Sequence, residues 1–272
     1  MLRYHWSATV LTLLFAVGCG GAQPVPKMTS TGKGTPDATK IVEPVLESVP
    51  EQAEPGDVDF PRGSEAFATL VKAAESSDAE AWTKAEAKIQ ELGPHATAAL
   101  AERLADENPV ARELAAMFLA QIGPEAAPAA KGLVKLLKDN STFARVNAAS
   151  ALSTMEGFEE QAVPVLTELL TDADENVRLT AATSLRNVGP LAMPALAGLT
   201  GALNDTNPQI RAAAATALGE IGPGATKSLK MLRRLEDDSE QAVVAAAAKA
   251  IRRIDAESID KTTLATPASA TE

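Results

Sequence analysis

Apolar side chains recur at helical spacing along most of this chain, and the pattern itself recurs. Over 175–188, Val177, Ala181, Leu185 and Val188 fall on one helical face, joined by Ala182. Ile210, Ala214, Leu218 and Ile221 repeat that face one unit later. Leu119, Leu152, Leu185, Leu218 and Ile251 stand 33 residues apart, and so do Leu133, Leu166, Leu199 and Leu232. The polar positions keep the same step. Asp106, Asp139, Asp172, Asp205 and Asp238 are 33 apart, while Arg112, Arg145, Arg178 and Arg211 each follow an Asp by six. A fixed period of this length marks a solenoid, whose units bury their apolar faces only by stacking on one another.

The pattern predicts six helix pairs. They are 64–75 with 78–92, 94–105 with 109–122, 125–138 with 142–155, 159–170 with 175–188, 191–203 with 208–221, and 224–236 with 240–254. Gly93-Pro94, Gly123-Pro124, Gly189-Pro190 and Gly222-Pro223 supply a glycine for a left-handed cap and a proline that cannot continue the helix. Asn108-Pro109 and Asn207-Pro208 set a capping side chain before a proline at the first helical position. One junction departs, with Met155-Glu156-Gly157-Phe158 in place of Gly-Pro. The first pair is irregular too, since Asp78 and Asp106 are 28 apart; an end unit must face water. The expected architecture is all-α, a right-handed α-solenoid of about six antiparallel helix pairs over 64–255.

Composition narrows what such an array can do. Hydrophobic residues make up 46% but aromatics only 3%, so the core must be built from Ala, Leu, Val and Ile. Trp82 shares a helical face with Ala85, Ile89 and Leu92 and reads as core in the first pair. The net charge of -11 speaks against a nucleic-acid binder and against broad contact with anionic lipid. With one cysteine there is no intrachain disulfide, and His5 and His95 are too few for a zinc or nucleophilic site. Glu159-Glu160 and Asp237-Asp238 read as solvated helix ends. No catalytic residue, cofactor or metal is expected.

The turn Asp of each unit can accept from backbone amides at the start of the next helix, where the macrodipole also favours it. The Arg six residues on lies about one turn into that helix, within reach of an Asp of its own or the neighbouring repeat. We read Asp106/Arg112, Asp139/Arg145, Asp172/Arg178 and Asp205/Arg211 as a structural ladder. Exposed ion pairs contribute about 0–1 kcal/mol each, so the ladder is expected to set register more than stability.

The N-terminus reads differently. Arg3 followed by an apolar run over 8–17 looks like an export leader spanning 1–18, too short for the roughly 20 residues that cross a membrane. Ala16-Val17-Gly18-Cys19 resembles a bacterial lipobox, with Ala16 where Leu is usual. That resemblance implies lipidation of Cys19 by acyl chains such as palmitate. Gly20-Gly21-Ala22 leaves ordinary leader cleavage open. Seven prolines between Pro24 and Pro61 make 19–63 a disordered tether. As a coil it would span roughly 35 Å. A disordered tail is expected over 256–272.

Paired helices with a turn Asp and an Arg six later, as in Asp139/Arg145 and Asp172/Arg178, resemble HEAT repeats. The first-helix proline eight before the Asp occurs only at Pro164, whereas Pro128 and Pro194 lie eleven before theirs. The short unit and Ala-rich second helices resemble the bacterial HEAT-like repeats named after phycocyanobilin lyases. Ankyrin repeats share the period, but their T-P-L-H signature is absent, and tetratricopeptide repeats would want bulky aromatics. The resemblance covers about 78–255 and implies second helices lining a concave side. There Met117, Ser150, Thr183, Thr216 and Lys249 form one row. Ala120, Ser153, Arg186, Gly219 and Arg252 flank it, with Gln121, Thr154, Asn187, Glu220 and Arg253 beyond. The candidate partner-binding residues are Met117, Ser150, Ser153, Thr154, Thr183, Arg186, Asn187, Thr216 and Lys249. Small polar side chains dominate the middle and basic ones the end.

The expected function is an exported scaffold in the bacterial envelope, lipid-anchored or else soluble and periplasmic or secreted. It would hold a protein or peptide on the concave row. The lyase resemblance implies an alternative, the handling of a bilin or similar tetrapyrrole. Export speaks against that, because such lyases act in the cytoplasm. A passive envelope spacer is the third reading.

Overall fold

The structure, a computed structural model, describes residues 59–263, with side chains over 60–255. The leader, Cys19, most of the tether and the end of the tail lie outside the described residues. Twelve α-helices and no strand occur among those described. They are α1 (Asp59–Ser76), α2 (Ala79–Leu92), α3 (Thr97–Arg103), α4 (Pro109–Ile122), α5 (Ala130–Leu136) and α6 (Thr142–Leu152). Then come α7 (Glu159–Leu169), α8 (Glu175–Val188), α9 (Leu196–Ala202), α10 (Pro208–Ile221), α11 (Leu229–Arg234) and α12 (Gln241–Thr263).

All six pairs form, as an all-α solenoid. The second helices α4, α6, α8, α10 and α12 pack in sequence, each on the next, with the first helices on their other side. In the first pair α2 packs chiefly on α1, so the row of second helices begins at α4. The apolar repeat is the core. Leu119, Leu152, Leu185 and Leu218 are fully buried, as are Leu133, Leu166, Leu199 and Leu232. Ile251, in the last repeat, is only half-buried. Trp82 lies in the core of the first pair, and its indole N–H donates to Glu86 Oε2 at 3.0 Å.

The Gly-Pro junctions do not simply stop one helix and start another. Gly123 has φ 76° and ψ -139°, a conformation outside the left-handed helical region and open essentially to glycine alone. Its N–H caps Leu119 O, and Pro124 then opens a 3-10 turn, Gly123–Ala129, before α5 begins. Gly93–Ala96, Gly189–Ala195 and Gly222–Ser228 repeat the device. Pro128 and Pro194 fall inside these tight turns, which explains why they sit three residues earlier than Pro164 in its repeat. The departing junction behaves otherwise. There α6 ends at Leu152, a turn earlier than its counterparts, and α7 starts directly after Gly157 (φ 83°) and Phe158.

Besides these shortened first helices, three boundaries differ from the sequence expectation. Residues 59–63, assigned to the tether, open α1, because Pro61 falls in a first turn, where its missing N–H costs nothing. The tail expected from 256 is helical to Thr263, since no glycine or proline interrupts α12 before Pro267. The third second-helix was expected to reach residue 155 and stops at Leu152, because no Gly-Pro cap follows it.

Candidate functional site

The ladder is where local chemistry and repeat stacking meet. In each turn the Asp Oδ1 accepts the amide two residues on: Asn108 N to Asp106, Ser141 N to Asp139, Asp174 N to Asp172 and Asn207 N to Asp205, at 2.8–2.9 Å. That second residue then caps the helix. Asn108 accepts from Val110 N, Ser141 from Ala144 N, Asp174 from Asn176 N and Asn207 from Gln209 N. The arginines cross to the following repeat. Arg178 Nε and Nη2 donate to the two carboxylate oxygens of Asp205 at 2.8 and 3.1 Å, while its Nη1 donates to Asp172 O at 2.9 Å. Arg112 does the same to Asp139 and to Asp106 O, and Arg211 to Asp238 and Asp205 O.

These rungs are not the exposed pairs expected from sequence. The Arg178 and Asp205 side chains are 15% and 10% exposed, which moves that rung toward the roughly 1.5–3 kcal/mol of a shielded charged hydrogen bond. Arg112 beside Asp139, Arg178 beside Asp205 and Arg211 beside Asp238 hold each carboxyl below its ordinary pKa. Asp238, read as a solvated helix end, is thus a ladder acceptor.

One rung is missing. Arg145 donates to Asp139 O at 2.9 Å and to Thr142 Oγ1 at 3.4 Å, and among the described residues no ion pair joins it to Asp172. The gap coincides with the departing junction, where α6 and α8 pack less extensively than the other neighbouring second helices.

Sequence reading missed the contacts beside the ladder. Ser141 Oγ donates to the Glu113 carboxylate, and Asn147 Nδ2 to Glu113 O, tying α4 to α6. Burial pushes the Glu113 carboxyl up from its usual value, with the Ser141 hydrogen bond opposing. Thr200 and Ser228 pair through their hydroxyls at 2.6 Å between the fifth and sixth repeats. The only signal was polar residues about one period apart.

Of the candidate row, Met117, Ser150, Thr183, Arg186, Asn187, Thr216 and Lys249 fall within second helices, whereas Ser153 and Thr154 lie just past the end of α6. Met117, Ser150, Thr154, Thr183 and Thr216 are half-buried, and Arg186, Asn187 and Lys249 are exposed. Ser153 is buried at 2% exposure and donates to Ser150 O, because the early end of α6 turns it inward. Thr154 and Thr216 also spend their hydroxyls on their own helices, on Ala151 O and Ala212 O. Gly219, in the flanking row, is buried against α12. The surface that remains is low and smooth in the middle, with the long polar side chains toward the C-terminal repeats. Among the described residues no cluster of His, Cys, Asp and Glu could hold a metal ion, and no helix is long and apolar enough to cross a membrane.

No curated protein matches the chain. Among solved structures, it is similar to an engineered protein at 23% identity and TM-score 0.56, with 71% of this chain and 96% of that one covered. A designed armadillo repeat protein in complex with the peptide (KR)4 is similar at 21% identity and TM-score 0.54, covering 72% and 99%. The complex of CpcE and CpcF of phycocyanin lyase from Nostoc aligns at 25% identity over 57% of this chain and 98% of that one. Its TM-score of 0.42 is too low to bear on this chain's fold or chemistry. The family model for HEAT repeats matches residues 97–186, 130–204 and 196–265, together more than half of the chain. A period of 33, Asp–Arg rungs reaching from repeat to repeat and stacked helix pairs agree with that match: the chain belongs to the HEAT-repeat family.

Proposed function

We propose that this chain is an exported scaffold, anchored through a lipidated Cys19, that holds an extended protein or peptide segment along its row of second helices. The observation that carries the binding part is the row itself. Five second helices stand in register, pinned by bidentate rungs at three of their four steps, and their shared face carries short side chains at Ser150, Thr183 and Thr216. A face built this way accepts a polypeptide backbone with little ordering cost. The fold suits protein binding, and the armadillo neighbour's complex with a peptide supports the same use of a stacked-helix face. The leader and the position of the single cysteine support export and anchoring.

A photo-crosslinking residue placed at Thr183 should capture a discrete partner in native membranes. Thr183→Lys, tested with a crosslinker elsewhere on the row, should lose that partner without changing the helical circular dichroism. Cys19→Ala should release the protein from the membrane fraction. Unchanged capture by Thr183→Lys would remove this face from the proposal. A mature N-terminus after Ala22 without an acyl mass would remove the anchor.

A further inference from the structure

We infer that the C-terminal end of the second-helix face docks an acidic stretch of the partner, one that also carries an apolar side chain. The inference rests on the peptide-holding reading above and adds the sign of the ligand's charge and the place where it sits.

The chain as a whole is strongly acidic, yet this end is not. In the last two turns of α8 and α10 and the matching turns of α12, the charged side chains are Arg186, Lys249, Arg252, Arg253 and a lone acid, Glu220. Glu220 is already engaged by Arg253, which ties α12 to α10. The nearby Asp255 meets Arg233 at 3.7 Å. Arg186, Lys249 and Arg252 are left exposed, and among the described residues none of them meets a carboxylate. Arg186 donates only a long bond, 3.4 Å, to Asn187 Oδ1 among those residues. The contrast with the ladder is informative. Where an arginine serves the stacking, as at Arg112, Arg178 and Arg211, an aspartate stands in register to take it. Among the described residues these three cations have no such acceptor, on a protein rich in carboxylates.

Arg186 and Arg252 occupy the same repeat position, with Gly219 between them. A Cβ on Gly219 would lie 2.9 Å from Ala250 Cα, so glycine is what lets α12 close on α10. Two helix spacings are about 16–20 Å. An extended chain advancing about 3.3–3.6 Å per residue covers that in roughly five residues. Carboxylates about five residues apart on one extended segment would therefore meet both arginines, and a bidentate guanidinium–carboxylate pair is the strong form of this contact. The turn that follows α8, beginning three residues after Arg186, exposes Leu191 at 47% and Met193 at 41%. Met193 reaches over the next turn, where a Cβ on Gly224 would stand 1.8 Å from its Cε. Cations next to exposed aliphatic surface suit a segment that alternates carboxylates with an apolar anchor.

The test uses the full chain and three fluorescent decapeptides: one rich in Glu with a central Leu, one of alternating Lys and Arg, and one of Gly and Ser. Fluorescence anisotropy should show binding of the acidic peptide alone, weakening about tenfold as NaCl rises from about 50 to about 300 mM. Arg186→Glu and Arg252→Glu should each weaken it about tenfold, while Arg234→Glu on α11 leaves it unchanged. Preference for the basic or the neutral peptide would overturn the inference and leave the peptide-holding reading standing. Failure of all three to bind would count against both. Acidic-peptide binding that survives Arg186→Glu and Arg252→Glu would overturn the assigned place.

Discussion

Arg178 shows how much a single repeated residue does here. It closes the turn of its own repeat through Asp172 O and grips the next through both oxygens of Asp205. Arg178→Ala should leave a shielded carboxylate unpaired and lower stability by about 1.5–3 kcal/mol, whereas Arg145→Ala, lacking the cross-repeat half, should cost clearly less. Chemical denaturation of the two variants side by side checks this, and equal losses would contradict the missing rung. Acid should expose the same rungs. Asp139, Asp205 and Asp238 have folded pKa values below their ordinary ones, so their stabilisation is present above about pH 4 and lost as pH falls through the lower folded values. Thermal scans should show Tm nearly flat near neutrality and falling below about pH 4. Glu113 works in the opposite sense. Its raised folded pKa favours the protonated form, so its contribution is lost as pH rises from about 4.3 through the folded value. Glu113→Gln, which keeps an acceptor for Ser141, should be at least as stable as the parent at pH 7, with the gain vanishing near pH 4. At this scale the ladder was legible because identical residues recur at one step. The Glu113–Ser141 and Asn147–Glu113 contacts were not, since Val146, Leu179 and Ala212 replace Glu113, and Leu114 and Thr180 replace Asn147, at their positions in other repeats.

Among elements, the second helices follow their apolar period closely, and the first helices do not. Val177, Ala181, Leu185 and Val188 are all buried where the spacing put them. Four of the six first helices, α3, α5, α9 and α11, instead begin as 3-10 turns, because a positive-φ glycine followed by proline sets up a tight turn before α-helical bonding can resume. A period count sees the apolar positions of such a segment but not its change of winding. Two substitutions separate core filling from close approach. Leu185→Ala removes a fully buried side chain between helices and should cost about 2–5 kcal/mol. Gly219→Val should also destabilise, for another reason: its side chain would meet the Ala250 backbone, which cannot swing aside. It should lower Tm and loosen α12 preferentially, which amide exchange over 241–255 would register. Unchanged exchange there would mean that α12 does not close on α10 as tightly as the structure has it.

For the array as a whole, stability is a sum of units and of the interfaces between them, so the weakest interface decides where it parts. Three features coincide between the third and fourth repeats. The Gly-Pro junction gives way to Met155-Glu156-Gly157-Phe158, α6 stops a turn early, and Arg145 does not take Asp172. The rungs on either side, Arg112 to Asp139 and Arg178 to Asp205, are intact. The second repeat is thus stapled to the third, the fourth to the fifth and the fifth to the sixth, while the interface between the third and fourth relies on apolar packing by Met155, Val163 and their neighbours. We expect graded denaturant to separate the array there. Amide exchange should show protection lost in two blocks, with α6 and α7 bordering the divide, and unfolding monitored at Trp82, in the first block, should not coincide with the total helical signal. The junction change was visible in the sequence, but its effect on Arg145 was not, because the spacing from Arg145 to Asp172 equals that of every paired rung. A single coincident transition, with protection lost uniformly across the six repeats, would mean that apolar stacking alone carries the cooperativity and that the rungs only set register.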